Sequence, residues 1–372
     1  MMRILLLGEY SNVHATLAKG LRALGHEVTV ASNGDFWKDY PRDIDLSRRQ
    51  GMWGGLCLYS KVLALLPRWR GYDVVQLINP MFLELRAERL FVIFDYLRRH
   101  NRCLILGAFG MDWYWVSTCM EKKPLRYSDF NIGDELRENP EALSERADWM
   151  GTPKERLNKH IARHCDGIVA GLYEYWVCYH PVFPAKTVFI PYPIELPTAS
   201  RPPRKQGERI RLFIGINTSR SAYKGTDIML SAAREVVERH SGLLELTVAE
   251  SLPFKEYSQR LNGSDAQLDQ LYSYTPSMNS LLAMSKGIIC IGGGEPENYD
   301  ILGERELRPI LNVVPSRESV VEVLEELVRH PERVGRLQSE SIAYVRRHHE
   351  YIDVARRYAD FYQSALQRRQ KK

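Results

Sequence analysis

Arg3-Ile4-Leu5-Leu6-Leu7-Gly8, then the polar turn Glu9-Tyr10-Ser11-Asn12, then Leu17, Leu21 and Leu24 at helical spacing, then Gly25-His26-Glu27-Val28-Thr29-Val30-Ala31: this opening stretch decides the fold. It reads as an apolar run of strand length, a polar turn, an amphipathic helix and a β-branched second strand, which together make one βαβ unit. Gly25 stands where helices end on a left-handed residue. A helical crossover returns the second strand parallel to the first. Further short apolar runs follow at 73–78, 103–106, 167–170 and 187–190, each separated by enough chain for another crossover. The spacing predicts a doubly wound α/β half.

Between Pro191 and Glu208 the sequence has five prolines and no apolar periodicity, which reads as an interdomain linker. The pattern then restarts. Residues 210–214 predict a strand, a Gly/Ser loop runs to Gly225, and Met229, Ala232, Ala233, Val236 and Val237 share one face of the following helix. Strands are expected at 244–249 and 287–291, with helices over 281–285 and 320–328. A last helical set, Val354, Tyr358, Phe361 and Tyr362, needs an apolar partner on either half.

Composition narrows the function classes. A chain of 372 residues is long enough for two domains, and 44 % hydrophobic with 26 % charged residues excludes wholesale disorder. The net charge of +5 fits anionic ligands or anionic lipid and is too small for a nucleic-acid coat. The six cysteines form no C-x-x-C pair and are scattered among apolar neighbours, so reduced, buried thiols and a cytoplasmic location are expected. The apolar run at the N-terminus is too short for a signal peptide or a membrane span, so any membrane contact is expected to be peripheral. His160 and His164 share a helix face but lack a third ligand, and no metal is expected. The run Arg346-Arg347-His348-His349 and the basic end from Arg368 read as solvated helix faces, with anionic lipid as the other reading.

Several stretches carry a resemblance to a known family. They are Gly25-His26-Glu27-Val28, Tyr223-Lys224-Gly225-Thr226-Asp227, Ser264-Asp265 through Leu271, Leu281 to Gly287, Gly292-Gly293-Gly294-Glu295-Pro296-Glu297, and Val354 to Tyr362. Together they resemble the GT-B glycosyltransferases, family 4 in particular. The resemblance implies two Rossmann-like domains with a cleft between them. Residues 1–195 would bind acceptor, 196–208 link, 209–345 bind a nucleotide-sugar donor, and 346–372 form a helix crossing back to the N-terminal domain. It also implies retaining transfer of a sugar from a nucleoside diphosphate sugar to a glycan or lipid-linked acceptor in cell-surface polysaccharide synthesis. No cofactor or metal is implied, and no nucleic acid.

Arg220 and Lys224 lie four residues apart in a loop that opens a helix, so both can reach phosphate oxygens beside a partly positive helix end. The bland reading is two solvated loop cations; the resemblance makes them the diphosphate ligands. Gly292-Gly293-Gly294 follows an apolar strand, either as a tight turn or where backbone approaches a ligand. By resemblance Gly293, Gly294, Glu295 and Glu297 belong to the donor-sugar loop, with Glu295 the hydroxyl ligand. The sequence departs from the family at its paired glutamates, whose places hold Tyr274 and Leu282. Neither can accept as a carboxylate does. Ribose recognition then falls to Asn279, Glu297 or Asn298, or is absent.

In the first half, Glu9, Asn12 and His14 follow the first strand, where the family faces its acceptor, although His14 can equally be a helix-surface residue. Asp112 follows Gly107-Ala108-Phe109-Gly110-Met111 and is a candidate for acceptor binding or proton handling, or a helix cap. Asp112, Lys224 and Glu295 make up the candidate catalytic set. Trp113, Tyr114, Trp115, Tyr127, Phe130 and Trp149 read as an acceptor-binding flap or as a local core. Two other activities remain open: a non-catalytic paralogue that binds glycan or nucleotide, and an epimerase on the same scaffold. A dehydrogenase would need G-x-G-x-x-G after the first strand, which is missing.

Overall fold

Leucine- and valine-rich runs flanked by turn residues take the strand positions, and helices fill the long connections, over residues 1–198, 207–252 and 254–370 of a computed structural model. In chain order these are β1 (Arg3–Leu7), α1 (Val13–Ala23), β2 (Glu27–Ser32), β3 (Ile44–Asp45), α2 (Gly51–Leu65), β4 (Val74–Leu77), α3 (Ala87–His100), β5 (Leu104–Ala108) and α4 (Trp113–Glu121). A hairpin of β6 (Asn131–Ile132) and β7 (Glu135–Leu136) follows, then α5 (Pro140–Trp149), α6 (Pro153–His164), β8 (Gly167–Ala170), α7 (Tyr173–Tyr179) and β9 (Thr187–Phe189). After the linker come β10 (Ile210–Ile216), α8 (Ser221–Lys224), α9 (Thr226–Arg239), β11 (Leu244–Glu250), α10 (Phe254–Leu261), β12 (Ala266–Leu268) and α11 (Met278–Ser285). The last elements are β13 (Ile289–Gly292), α12 (Pro296–Leu302), β14 (Leu311–Asn312), α13 (Arg317–Arg329), α14 (Arg333–His349) and α15 (Tyr351–Gln370).

The chain divides into two units. The first comprises Met1–Pro124, Ser144–Pro193 and the chain from Tyr351; the second comprises Leu125–Leu143 and Ile194–Glu350. In the first, a sheet ordered β3-β2-β1-β4-β5-β8-β9 is parallel throughout. β4, β5 and β8 are buried along their whole length, as strands covered by helices on both faces must be. The second sheet, β11-β10-β12-β13-β14, is also parallel, and its core joins Leu212, Ile214, Met229, Val236, Leu268 and Ile291.

The last helix, α15, packs on α1 in the first unit, where Gly20 lets the two backbones approach: a Cβ there would lie 2.5 Å from the Tyr351 carbonyl oxygen. A buried polar chain ties the same region together. Tyr362 Oη donates to Gln76 Oε1 at 2.7 Å, and Gln76 Nε2 lies 3.1 Å from His14 Nε2. His14 Nδ1 faces the Gly8 carbonyl oxygen at 2.8 Å. A carbonyl only accepts, so Nδ1 carries the proton and Nε2 accepts from Gln76.

The structure differs from the sequence reading in three places. Leu125–Leu143, expected in the first domain, belongs to the second unit. The run at 346–349 is not wholly solvated: His348 and His349 are buried, and His348 Nε2 meets Glu304 Oε2 at 2.6 Å. Cys57 is exposed while the other five cysteines are buried. Most of the expected linker, 199–206, lies outside the described residues. No helix among the described residues is long and apolar enough to cross a membrane.

Candidate functional site

Open parallel sheets bind ligands at the carboxyl ends of their strands, because there the helix N-termini and the loop residues converge. In the second unit the loops that leave that edge include those after β10, β12 and β13. The first of these carries Arg220 and Lys224, and the third carries Gly293 to Glu297. They are held to one another. Leu271 N donates to the Lys224 carbonyl at 3.0 Å, and Glu295 N donates to the Tyr274 carbonyl at 3.1 Å.

Two glycines make this close assembly possible. Gly225, at φ +72°, is the N-terminal cap of α9, and a Cβ there would sit 2.9 Å from both Leu271 Cβ and Tyr272 Cε2. It therefore serves backbone conformation and contact together. At Gly293 a Cβ would lie 2.3 Å from the Ser273 carbonyl oxygen. Gly293 is thus explained first by packing of its backbone on the 273–275 loop, and Gly294 by Ile310, whose Cγ2 would lie 2.6 Å from a Cβ there.

The segment Leu125–Leu143 straps across all of this. Arg126 Nη1 meets Glu297 Oε1 at 2.6 Å, and Arg126 Nη2 meets Glu295 Oε2 at 2.7 Å. Tyr127 Oη donates to Glu295 Oε1 at 2.5 Å, and Asn312 Nδ2 donates to the same oxygen at 3.1 Å. The Tyr274 hydroxyl, in the place of a family glutamate, accepts from Arg126 N at 2.6 Å, and the Arg126 guanidinium lies 4.9 Å from the ring. At the other end of the strap Arg137 Nη2 donates to the Ala222 carbonyl at 2.9 Å, and its guanidinium stacks 3.4 Å from the Tyr272 ring centre. Two arginines therefore join the cation-bearing loop and the carboxylate-bearing loop through one segment.

The electrostatics follow from these contacts. Partial burial pushes the Glu297 carboxyl up, but the Arg126 guanidinium more than offsets this and holds it below the usual carboxylate range. Burial, then the bond to Glu295, raises the Tyr127 phenol, so it stays protonated and donates. Glu295 is 5 % exposed and has both oxygens engaged.

Of the donor candidates, Arg220, Lys224, Gly293, Gly294, Glu295 and Glu297 are brought to this edge. Asn279 is exposed on α11. Asn298 is buried and turns inward, its Nδ2 donating to Tyr344 Oη of α14 at 3.0 Å. Leu282 lies on α11. Arg126, Arg137 and Asn312 were missed by sequence reasoning, and Tyr127 was read with the aromatic flap and not with this edge, since nothing in their spacing signals partners so far along the chain.

In the first unit, Glu9 lines a pocket with Gly8, Tyr10, Asn33 and Glu84 at the carboxyl ends of the central strands. Its oxygens accept from His14 N at 3.2 Å and Ala15 N at 2.8 Å, so Glu9 caps α1 from outside the helix. Burial pushes its carboxyl up to about 8, against the lowering effect of those backbone bonds. Ser11 and Asn12 form the turn with φ of 52° and 70°. His14 is fully buried, and burial pulls its imidazole down to about 3, which keeps it neutral. Asp112 takes the cap role: it accepts from Trp115 N at 2.9 Å and from Tyr179 Oη at 2.6 Å, and burial raises it to about 6. Tyr114, Trp115 and Trp149 are buried here, as are Tyr127 and Phe130 on the strap of the second unit. His160 Nε2 lies 2.9 Å from Asp95.

No protein-family model matches the sequence, and no match is found among curated proteins. Solved structures do match. Anabaena Alr3699/HepE, determined with UDP and glucose, is 12 % identical with a TM-score of 0.59 over 98 % of this chain and 100 % of that one. Sucrose-phosphate synthase from Thermosynechococcus elongatus is 11 % identical with a TM-score of 0.63, over 97 % and 98 %. WaaG, a glycosyltransferase involved in lipopolysaccharide biosynthesis, is 13 % identical with a TM-score of 0.52, over 97 % and 99 %. The chain has the GT-B glycosyltransferase fold expected from its sequence.

Proposed function

We propose that this GT-B chain is a retaining glycosyltransferase that moves a sugar from a nucleoside diphosphate sugar to a glycan or lipid-linked acceptor in cell-surface polysaccharide synthesis. One observation carries the reading: two cations and two carboxylates stand on loops leaving the same edge of the second sheet, held together by one strap. Arg220 and Lys224 meet the diphosphate, and the N-terminus of α9 adds partial positive charge. Glu295 accepts from sugar hydroxyls. These cations stand in for a divalent metal, so none is required. In the transfer, the bond from the anomeric carbon to the diphosphate oxygen breaks and the acceptor oxygen bonds to that carbon on the same face. The acceptor proton passes to the departing phosphate oxygen. Glu9 and the pocket it lines take the acceptor side, in a chain that works at the inner face of a membrane.

HepE was solved with UDP-glucose, which makes a uridine diphosphate sugar the first donor to test. Without acceptor, a retaining enzyme hydrolyses its donor slowly, so NMR of the released sugar should show retained anomeric configuration at first, and Lys224→Ala should abolish the release. Release with inverted configuration contradicts the retaining mechanism.

A second reading, a non-catalytic nucleotide- or glycan-binding paralogue, draws support from Glu295. Its carboxylate is already satisfied by Arg126, Tyr127 and Asn312, and Tyr274 and Leu282 stand where the family has glutamates. Nucleotide binding without any donor cleavage would select it.

A further inference from the structure

Helix α2 is apolar on both of its faces. Its 15 residues, GMWGGLCLYSKVLAL, carry a single charge at Lys61. One face, with Gly54, Gly55, Leu58 and Val62, is buried in the first unit. The other presents Met52, Trp53, Leu56 and Leu63 at 73, 77, 37 and 40 % exposure, beside the exposed Cys57. A helix that is hydrophobic all round belongs in an apolar surrounding on every side.

Charge identifies what covers it. From Leu46 to Tyr72 the chain carries Arg48, Arg49, Lys61, Arg68 and Arg70 and no acidic residue. Those five cations equal the net charge of the whole chain, +5, and leave 46 of each sign elsewhere. The four arginines are exposed, two just before the helix and two just after it. Lys61 is tied down, donating to the Asp45 carbonyl at 2.6 Å. A second copy would set five cations against five, so like charge opposes self-pairing. An anionic bilayer suits both features: the apolar stripe enters the headgroup boundary while the arginines meet lipid phosphates.

We propose that α2 docks the chain on an anionic phospholipid surface, with Met52 and Trp53 as inserted side chains and Arg48, Arg49, Arg68 and Arg70 as headgroup contacts. The proposal rests on the membrane placement proposed above and not on the transferase chemistry, so a failure to bind vesicles would leave the nucleotide reading standing. Among the described residues the other exposed large aromatics, Phe36 and Trp37, lie in a stretch where Asp35, Asp39, Asp43 and Asp45 outnumber Lys38 and Arg42. Even with Arg22 paired to Asp43, carboxylates remain in excess there, so the proposal does not place Phe36 and Trp37 on the same surface.

Cys57 allows a direct test, since a polarity-sensitive fluorophore attached there reports on the outer face of α2. Labelled chain is mixed with vesicles of phosphatidylcholine alone or with added phosphatidylglycerol, and unlabelled chain is co-sedimented with both. The proposal expects a blue shift and co-sedimentation with the anionic vesicles only, lost in high salt. At about fivefold per cation, removing both charges with Arg48→Ala and Arg49→Ala together should weaken partition about 25-fold. Trp53→Ser should weaken it as well, and Trp37→Ser should leave it unchanged. Equal binding to both vesicles, binding to neither, or a shift that follows protein concentration without lipid would overturn the proposal, the last in favour of a second copy as the occupant.

Discussion

At Glu295 the hydrogen-bonding capacity of a buried carboxylate is divided among an arginine, a tyrosine and an asparagine. Removing the arginine leaves two carboxylates without their counter-ion. Full loss of a buried partner costs about 3–5 kcal/mol, but the Arg126 side chain is 56 % exposed and the pair is partly screened. Arg126→Ala should therefore lower unfolding stability by about 1–2 kcal/mol in urea denaturation; an unchanged midpoint would mean that the cluster is held by Tyr127 and Asn312 alone. Glu9 gives a prediction in pH. Its carboxyl titrates at about 8 when folded and near 4.5 when unfolded, so between these values the folded chain holds the extra proton. Stability must then fall as pH rises through that window. Glu9→Gln removes the proton exchange, so the variant should gain in melting temperature relative to the parent as pH goes from 5 to 8. A difference independent of pH would contradict the burial argument.

Helices and strands were legible where periodicity alone decides them. The opening βαβ unit and β8 lie where their apolar runs end, and Gly25, at φ +83°, closes α1 as its position implied. The strap at Leu125–Leu143 was not legible. Its destination is fixed by Arg126 and Arg137, whose partners lie up to 171 residues away, and side-chain contacts at such separations leave no periodic trace. α14 was hidden for a different reason. Its buried face includes Gln338, Ser341 and His348, so a polar stripe reads as solvated although Asp265, the Leu337 carbonyl and Glu304 satisfy these three groups from within. The packing of α15 on α1 rests on Gly20, where a Cβ would meet the Tyr351 carbonyl oxygen at 2.5 Å and Ala355 Cβ at 2.7 Å. Gly→Ala inside a helix gains about 1 kcal/mol in propensity, whereas forcing two backbones apart costs about 1–3 kcal/mol. Gly20→Ala should be net destabilising, with hydrogen exchange accelerated along 351–370; slower exchange there would show that the helices have room to part.

Across the whole molecule the same architecture occurs twice, a parallel sheet whose functional candidates gather at the carboxyl ends of its strands. In the first unit the candidates turn out to be structural to different degrees: His14 is a buried relay, Asp112 a cap, and Glu9 both cap and pocket wall. In the second, the cations and carboxylates named from the sequence stand on loops leaving one edge of the sheet, and the strap that joins those loops was invisible until the chain was folded. The account therefore stands on the second unit holding a nucleoside diphosphate through Arg220 and Lys224. Thermal unfolding with and without UDP and UDP-sugars, on the parent and on Lys224→Ala, measures this most directly. At a hundredfold excess over Kd a true ligand adds about 2.7 kcal/mol, a rise of a few degrees in Tm. The account predicts that rise for the parent and its loss in the variant; no shift in either at millimolar nucleotide, or an equal shift in both, would contradict it.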